Sequence, residues 1–246
     1  MADEDLLLEA AARHGVPVPP TVVPVARAGA LGDARVTRHV DGETLGRRIV
    51  RDDRFAAARA ALVAESAAAL AALHRIDPSE VRGLAVVEPL DRLRGGLDLL
   101  GEARPAFELA LAWLESHRPA PTETRVVHGD FRLGNLIVDP DGLRAVLDWE
   151  LAHLGDPVED LGWLCVRSWR FGGSGEVAGV GSTEELLAAY AAAGGDTVTP
   201  EHLRWWILAG TLTWGLICAV QARRHLDGNV RSVELATIGR RIAETE

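Results

Sequence analysis

Three polar residues stand at short intervals in the segment VVHGDFRLGNLIVDPDGLRAVLDWE, residues 126–150. Asp130 is followed five residues later by Asn135, and Asp148 ends the apolar run that comes next. An aspartate on a loop can orient a hydroxyl group for attack on a phosphoryl group. A largely dissociative transition state requires mainly that the attacking hydroxyl be correctly positioned. An amide oxygen and a carboxylate are hard ligands that suit Mg²⁺. The spacing therefore predicts a phosphotransfer site with Asp130 as its catalytic residue and with Asn135 and Asp148 as its metal ligands.

The apolar context of Asp148, AVLDW, predicts a buried carboxylate. Carboxylates are seldom fully buried without a partner, so we expect a ligand to supply one. Taken singly, Asp130, Asn135 and Asp148 are each more typical of a turn residue or a helix cap, and it is their order around a hairpin that favours chemistry. Metal-dependent hydrolysis through His128 and Asp130 is a weaker interpretation, because no histidine cluster accompanies them.

The composition predicts one well-buried domain, since the chain has 246 residues and is 48% hydrophobic. Its net charge of -10 and pI of about 5.3 argue against nucleic acid and anionic membranes as partners. Cys165 and Cys218 lie far apart in apolar contexts, which is typical of reduced, buried thiols in a cytoplasmic protein. The N-terminus lacks the basic and long apolar regions of a signal peptide. The apolar run 205–220 is shorter than a membrane span, and we expect it to be a buried helix.

The elements that must position these residues follow from periodicity and turn signals. The predicted helices cover residues 3–14, 55–75 and about 103–117. The predicted strands cover residues 21–26, 34–40 and 124–128. Residues 136–148 are predicted to form a hairpin that turns at DPDG.

The long helix and the C-terminal half complete this prediction. Helical periodicity resumes at Thr44, and the helix over 55–75 is expected to bury an apolar stripe. The residues of that stripe are Leu62, Ala69, Leu70 and Leu73. Beyond Asp160 the chain is expected to be helical to its end, except for the glycine-rich segment 170–182.

The order of HGDFRLGN, a hairpin and LDW is that of protein kinases, in which a catalytic-loop Asp and Asn precede a metal-binding Asp. The longer strings VVHGDFRLGNLIVD and AVLDWELAHLGDPVEDLGWL resemble the aminoglycoside phosphotransferase superfamily of kinase-like small-molecule phosphotransferases. LGDPVEDLGWLCVRSWRFG and WWILAGTLTWGLICAVQARRHL further resemble the phosphotransferase domain that some proteins carry fused to acyl-CoA dehydrogenase domains. The resemblance runs from about Glu4 to the C-terminus. It implies an α+β, protein-kinase-like fold whose large lobe is mostly helical and carries the catalytic-loop hairpin.

The resemblance also implies ATP and Mg²⁺ as cofactors and gives roles to further residues. The residues expected to support the catalytic loop structurally are His128, Asp156 and Asp160. The hinge residues expected to bind the nucleotide through their backbone are Arg38, His39 and Val40.

The sequence departs from the family at its N-terminus. The family's small lobe brings a glycine-rich hairpin over the phosphates and a strand Lys paired with a helix Glu, whereas this sequence contains no lysine. Glu4 matches the helix Glu and is expected to lack its Lys partner. We therefore expect residues 1–40 to be a remnant of the small lobe, residues 41–246 to be the large lobe, and turnover by the isolated chain to be near background. The unpaired edge of the remnant sheet predicts self-association.

Two functions remain open on the sequence. The first is an ATP-dependent phosphotransferase of a small-molecule hydroxyl, and the second is a non-catalytic kinase-like scaffold or weak nucleotide-binding protein. Arg167, Trp169 and Arg170, which stand near Trp163 and Phe171 in the sequence, suit an anionic, partly apolar substrate, although such a mixture is more often a packed face. Because the dehydrogenase-fused domains imply acyl-CoA chemistry, the expected substrate is a hydroxy acid or a hydroxyacyl-CoA.

Overall fold

The computed structural model describes residues 4–27 and 33–246 of the chain. Its N-terminal part consists of helix α1 (Glu4–Arg13) and two antiparallel strands, β1 (Thr21–Arg27) and β2 (Asp33–Thr37). Helix α1 forms because the apolar residues 7, 8, 10 and 11 share one buried face. The helix and both strands are confirmed, while the helix start at Asp3 and most of the predicted turn between the strands lie outside the described residues.

The second strand ends at Thr37, so its predicted extension to Val40 is wrong. The backbone N–H of Arg38 donates to the carbonyl of Pro20 at 2.8 Å, and this bond is the last between the two segments. The chain then crosses to the C-terminal part, where Glu43 pairs with Val138 through two backbone hydrogen bonds. Residues 38–42 are therefore a connecting segment.

The remainder of the described chain is mostly helical. Its helices are α2 (Gly46–Arg51), α3 (Ala56–His74), α4 (Pro89–Leu100), α5 (Pro105–Ser116), α6 (Val158–Cys165), α7 (Thr183–Ala192), α8 (Pro200–Leu226) and α9 (Val233–Ile238). Its strands are β3 (Arg125–Val127), β4 (Leu136–Asp139), β5 (Gly142–Val146) and β6 (His153–Gly155). Strand β3 pairs with β6 and β4 pairs with β5, both antiparallel. The predicted hairpin is thus confirmed, with its turn at Asp139–Gly142.

Helices α3 and α8 organise the core. Helix α8 packs against α4, α5, α6 and α9, while α3 packs against α7 and the strands β3 and β5. The predicted stripe of α3 is buried. In α8, the buried tryptophans and leucines are Leu203, Trp205, Trp206, Leu212 and Leu216. Both helices are long and apolar enough to cross a membrane, but 56% of the most apolar stretch of each is buried within the protein. This burial is the pattern of core helices, in agreement with the expectation for residues 205–220.

Two elements have no counterpart among the predictions, helix α4 and strand β6. The glycines at positions 95 and 96 weaken the helical signal of α4. A Cβ at Gly96 would lie 3.0 Å from Leu216 Cδ1, so this glycine lets α4 approach α8 closely. Strand β6 is only three residues long and is stabilised by pairing with β3. No local sequence pattern predicts that pairing.

The two cysteines are buried and unbonded, as the sequence predicts. Burial raises the pKa of Cys165 to about 12 and the pKa of Cys218 to about 11. Both thiols are therefore protonated at neutral pH and are poor nucleophiles.

The sheet of β1 and β2 should be less stable than the catalytic region, because it has two strands and its residues Val22, Val23 and Val36 are 57%, 44% and 52% exposed. Two-stranded sheets that bury little apolar surface open readily. We expect fast amide hydrogen exchange over residues 21–27 and 33–37, and slow exchange at Val126 and Leu147. Exchange followed by mass spectrometry checks this, and uniform protection of both regions would contradict it.

Candidate active site

The catalytic loop is held by one buried carboxylate, that of Asp160 in α6. Its Oδ2 accepts a hydrogen bond from the backbone N–H of His128 at 2.8 Å, and its Oδ1 accepts one from Gly129 at 2.9 Å. His74 of α3 adds a third bond, from Nε2 to Oδ2 at 3.2 Å. Burial raises the pKa of Asp160, but the hydrogen bonds from His74 and His128 outweigh burial and hold the pKa below its usual value. An ionised carboxylate therefore fixes the backbone at the start of the loop.

The imidazole of His128 joins the loop to the hairpin. Its Nδ1 accepts from the backbone N–H of Asp130 at 3.1 Å, and its Nε2 donates to the carbonyl of Leu147 at 3.1 Å. One accepting and one donating nitrogen define a neutral ring. Burial lowers the pKa of His128, which is consistent with that state. With both nitrogens occupied, His128 has no nitrogen left for a metal.

Only glycine fits between His128 and Asp130. Gly129 has a φ of +78°, a region that side chains rarely adopt. A Cβ at this position would lie 2.5 Å from the carbonyl oxygen of Leu151. The glycine therefore lets the loop lie directly against the segment that follows the hairpin.

Both carboxylate oxygens of Asp130 are hydrogen-bonded, and the residue is 8% exposed. Oδ1 accepts from Trp163 Nε1 at 2.7 Å and from Arg132 Nε at 2.9 Å. Oδ2 accepts from Asn135 Nδ2 at 2.6 Å. Oδ1 is thus saturated, while Oδ2 has room for one more donor. A hydroxyl group that donates to Asp130 would bind at Oδ2.

Asn135 lies at the entrance to β4, at the end of the short 3-10 helix Leu133–Asn135. Its Nδ2 also donates to the backbone carbonyl of Asp130 at 3.0 Å, which fixes the amide plane. No donor within residues 4–27 and 33–246 reaches the amide oxygen Oδ1. The backbone N–H of Leu147 donates to the carbonyl of Asn135 at 2.8 Å, so Asn135 faces the residue that precedes Asp148.

Asp148 is exposed, so the prediction of a buried carboxylate is wrong. Its backbone is left-handed, with a φ of +66°, two residues beyond the end of β5. Because of this turn, the alternation of buried side chains in the strand does not continue to Asp148. Aspartate tolerates the left-handed conformation better than most residues do. In the described part of the chain, its carboxylate has no hydrogen bond or ion pair.

The oxygens of Asn135 and Asp148 fit a hard divalent cation. Neither has a donor from the described residues, and the bond between Asn135 and Leu147 keeps the two ligands at adjacent points of the hairpin. The described ranges contain no group of three or more His, Cys, Asp or Glu side chains that could hold a metal alone. Phosphate oxygens and water would complete the coordination of Mg²⁺, which when bound would neutralise charge on the phosphates.

Glu4 has a cationic partner although the chain contains no lysine. Arg35 of β2 donates from Nη1 to Glu4 at 2.8 Å and from Nε to Asp5 at 2.5 Å. Burial lowers the pKa of Arg35, but its bonds to Glu4 and Asp5 outweigh that effect and the pKa is raised. Within the described residues, the cationic partner of Glu4 is therefore Arg35, an arginine that comes from a later strand.

Asp156 lies just before α6 and supports the site from further away. It accepts from the backbone N–H of Val158 at 2.9 Å, from His202 Nε2 at 2.7 Å and from Trp206 Nε1 at 3.1 Å. The carboxylate therefore joins the start of α6 to α8. It does not touch the catalytic loop, which Asp160 holds.

The three proposed hinge residues lie on the connecting segment after β2. The N–H of Arg38 is taken by Pro20. His39 is exposed and Val40 is half-buried, and the backbone groups of these two residues make no hydrogen bond within the described ranges. Their backbone is therefore available to a ligand.

The structure separates the three residues predicted to bind substrate. Arg167 is exposed and makes no ion pair with the described residues. Trp169 is buried, and its ring centroid lies 5.4 Å from that of Trp163. Arg170 donates from Nη2 to the carbonyl of Cys165 at 3.3 Å. Trp169 and Arg170 thus belong to the packed interior, and Arg167 faces solvent.

A cavity of about 940 Å³ opens beside the catalytic loop. Its wall is mostly apolar and is formed by α4, α6, α8 and residues 149–153, and Gly129 and Trp163 border it on the side of Asp130. This volume is typical of sites for small molecules. The charged or ionisable residues of the wall are Glu4, Arg92, Glu150, His153 and Glu159.

Most of the acidic charge in this cavity is neutralised. Glu159 accepts from Arg92 Nη2 at 2.6 Å and pairs with His153 Nε2 at 3.2 Å, and Glu4 is paired as described above. Glu150 makes no hydrogen bond or ion pair within residues 4–27 and 33–246. The cavity therefore does not present a cluster of unpaired carboxylates.

The sequence prediction gives no role at Asp130 to two residues that contact it, Arg132 and Trp163. Arg132 stands two positions after Asp130 in the motif, so its proximity was readable from the sequence. Trp163 is 33 residues away along the chain, and α6 brings its indole N–H to the loop. No local pattern distinguishes that tryptophan from the other apolar residues of the helix.

The loop, the hairpin and the surrounding helices have the order and the contacts of a kinase-like fold. Residues 1–206 match the APH family, described as "Phosphotransferase enzyme family", and the chain belongs to that family. Acyl-CoA dehydrogenase family member 11 of Homo sapiens is 32% identical over 156 residues, which are 57% of this chain and 20% of that protein. The chain thus spans a small part of the length of this relative.

Solved structures confirm the α+β, protein-kinase-like fold. A protein of Ralstonia eutropha JMP134, solved as a candidate aminoglycoside phosphotransferase, superposes with a TM-score of 0.79 at 23% identity, over 99% of this chain and 80% of that one. The GDP complex of aminoglycoside 2'-phosphotransferase-IIIa superposes with a TM-score of 0.69 at 15% identity, over 99% and 80% of the two chains. At these identities the likeness concerns the fold.

Replacing Asp160 by Ala should destabilise the protein by about 3–5 kcal/mol, because two buried backbone N–H groups and His74 would lose their acceptor. Urea denaturation followed by circular dichroism measures the change in the free energy of unfolding. Asp141→Ala, in the exposed hairpin turn, is the control and should stay within about 0.5 kcal/mol of the wild type. Similar small effects from both substitutions would show that Asp160 does not hold the loop.

Proposed function

We propose that this protein is an ATP-dependent phosphotransferase that acts on the hydroxyl group of a small molecule. The proposal rests on the hydrogen-bonded unit that joins Asp130, Asn135 and the hairpin ending near Asp148. This unit sets a carboxylate that can orient a hydroxyl beside two oxygen ligands for Mg²⁺. The GDP complex of aminoglycoside 2'-phosphotransferase-IIIa, a protein of the same fold, supports a nucleotide as co-substrate.

In the proposed reaction, the substrate hydroxyl donates to Asp130 Oδ2, and its oxygen attacks the terminal phosphorus of ATP. The new O–P bond forms while the bond from that phosphorus to the oxygen bridging to the β-phosphate breaks, and the electron pair leaves on ADP. The hydroxyl proton passes late in the step to Asp130 Oδ2. Asn135 Nδ2, which donates to the same oxygen, keeps the carboxylate oriented during the approach.

The nucleotide base is proposed to bind the connecting segment at Arg38, His39 and Val40. The free backbone groups of His39 and Val40 are the donors and acceptors that a base requires. The N–H of Arg38 contributes only indirectly, because its bond to Pro20 fixes the segment at its start.

The proposed substrate is a hydroxy acid or a hydroxyacyl-CoA. An aminoglycoside is a polycation and would need several unpaired carboxylates, whereas in the cavity beside Asp130 the carboxylates of Glu4 and Glu159 are paired. The mostly apolar wall instead suits an acyl chain. Arg167, exposed and without an ion pair in the described chain, is proposed to meet an anionic part of the substrate, while Trp169 and Arg170 support it by packing. Similarity to an acyl-CoA dehydrogenase family member favours the same substrate class.

A second candidate function is nucleotide binding without turnover. It would apply if no group positions the phosphates, because such positioning supplies much of the catalysis in phosphoryl transfer. Both functions require a Mg²⁺-dependent nucleotide site, so binding measurements test the site and ADP release separates the two.

Wild-type protein should bind ATP in a Mg²⁺-dependent manner, and Asp148→Ala should abolish that binding. The site would lose its only carboxylate, and the amide oxygen of Asn135 alone would not hold the cation against the charge of the nucleotide. Isothermal titration calorimetry with and without Mg²⁺ measures the effect, with Asp141→Ala as the matched control. Equal ATP binding in the presence and absence of Mg²⁺ would refute the assignment.

The substrate assignment predicts binding of a 4-hydroxyacyl-CoA in preference to kanamycin. Thr213→Trp, which fills the cavity from α8, should abolish binding of the acyl compound and leave ATP binding intact. Arg167→Ala should weaken binding of the CoA thioester more than that of the free hydroxy acid, and Arg118→Ala, an exposed arginine elsewhere, should change neither. Calorimetry and ADP release are the measurements. Preference for kanamycin that Thr213→Trp and Arg167→Ala leave unchanged would overturn the assignment.

A further inference from the structure

Three charged residues in the wall of the cavity beside the catalytic loop form one hydrogen-bonded group, Arg92, His153 and Glu159. Glu159 accepts from Arg92 Nη2 at 2.6 Å through Oε1, and its Oε2 lies 3.2 Å from His153 Nε2. The side chains of His153 and Glu159 are 5% and 8% exposed. We call these three residues the charged triad of the cavity.

The imidazole of His153 is cationic in this arrangement. Its Nδ1 lies 2.8 Å from the carbonyl oxygen of Leu151, and its Nε2 faces the carboxylate of Glu159. Both neighbours are acceptors, so both ring nitrogens must carry a proton. Burial lowers the pKa of His153, but the bonds to Glu159 and Leu151 outweigh burial and the pKa is raised. The triad thus contains two positive groups and one negative group.

One positive charge of the triad has no counterion among the described residues. Glu159 is the carboxylate that pairs with both of its cations. Of the other two acids in the wall, Glu4 pairs with Arg35, and Glu150 is exposed and makes no ion pair within residues 4–27 and 33–246. A positive charge that is partly shielded from water by a mostly apolar wall favours an anionic ligand.

Arg92 provides the open donors of the triad. Both ring nitrogens of His153 are occupied, whereas Nε and Nη1 of Arg92 make no hydrogen bond within the described ranges. The Arg92 side chain is 38% exposed and borders the cavity from α4. A guanidinium that is held at one nitrogen and open at the others is suited to bind a carboxylate.

The triad lies against the catalytic loop. A Cβ at Gly129 would lie 3.2 Å from His153 Nδ1, so the imidazole packs on the backbone directly before Asp130. Gly129 and Arg92 border the same cavity. A ligand that fills this cavity can therefore place a hydroxyl group at Asp130, an apolar chain along the wall and an anionic end at Arg92.

We propose that Arg92 binds the carboxylate of the substrate and thereby selects a free hydroxy acid over its thioester. This inference rests on the proposed function, which leaves both forms open. A carboxylate balances the positive charge of the triad, whereas the carbonyl group of a thioester carries no charge that could do so. Arg92 determines specificity in this role and takes no part in the transfer step at Asp130.

The test measures the Kd of 4-hydroxydecanoate and of its neutral amide, 4-hydroxydecanamide, by calorimetry on the full chain. The two compounds share the hydroxyl group and the chain, so the ratio of their Kd values reports on the carboxylate charge. The wild type should bind the acid about tenfold or more tightly, as expected for a hydrogen bond between charged groups. Arg92→Met should bring the two Kd values within about twofold of each other.

A matched control and a third compound separate this role from a structural one. Arg94 lies on the same helix, pairs with Glu115 and is outside the cavity wall, so Arg94→Met should keep the wild-type ratio. If Arg92 only held Glu159 in place, its loss would weaken binding of acid and amide alike. Arg92→Met should also weaken binding of 4-hydroxydecanoyl-CoA less than binding of the acid. Equal losses for acid and thioester would overturn the selection of the free acid.

The comparison of acid and amide on the wild type needs no variant, so it tests the inference even if Arg92→Met does not fold. Equal wild-type affinities for the two compounds would overturn the role of Arg92. Arg92→Lys keeps a charge beside Glu159 but not the fork of donors, and should retain part of the preference for the acid.

ADP release with ATP and Mg²⁺ distinguishes failure of this inference from failure of the proposed function. Release with any of the three compounds, without preference for the acid in binding, would overturn the role of Arg92 alone. No release with any of them would overturn the phosphotransferase activity on which that role rests.

Discussion

A carboxylate that is fully shielded from solvent, that of Asp160, sets the geometry on which the whole site depends. Removing such a charge from water is costly, and donors from three directions must compensate for it. Two of them are the backbone N–H groups of His128 and Gly129, and the third is the imidazole of His74, whose Nδ1 lies 2.8 Å from Tyr190 Oη. The left-handed backbone at Gly129 is thus held in place by the hydrogen bond from its N–H to Asp160.

Direct hydrogen bonds connect the buried carboxylate of Asp160 to Asp130 and to the hairpin. His128, fixed by Asp160 at its backbone, uses its ring to bind Asp130 on one side and Leu147 on the other. Asn135 adds a second connection between the loop and the hairpin, since it binds Asp130 through its side chain and Leu147 through its backbone. The loop and the hairpin are consequently one unit, and a shift in either would misplace both Asp130 and its neighbours.

Local patterns in the sequence predict the parts of this unit that depend on local chemistry. The DPDG turn specifies the hairpin, and the spacing from Asp130 to Asn135 predicts the loop. The exposure of Asp148 was not predictable in this way, because it follows from a left-handed residue beyond the strand, whereas the surrounding apolar letters indicate burial. Trp163 could not be assigned either, since its contact with Asp130 depends on how α6 packs.

Anomalous X-ray scattering can test whether Asp130, Asn135 and Asp148 form a centre for phosphoryl transfer. Crystals of the chain would be grown with Mn²⁺ and a non-hydrolysable ATP analogue, with Mn²⁺ standing in for Mg²⁺. We expect an anomalous peak bonded to Asn135 Oδ1 and to the carboxylate of Asp148, with the terminal phosphate facing Asp130. A peak bonded to neither residue, or a nucleotide bound away from the loop and hairpin, would contradict it.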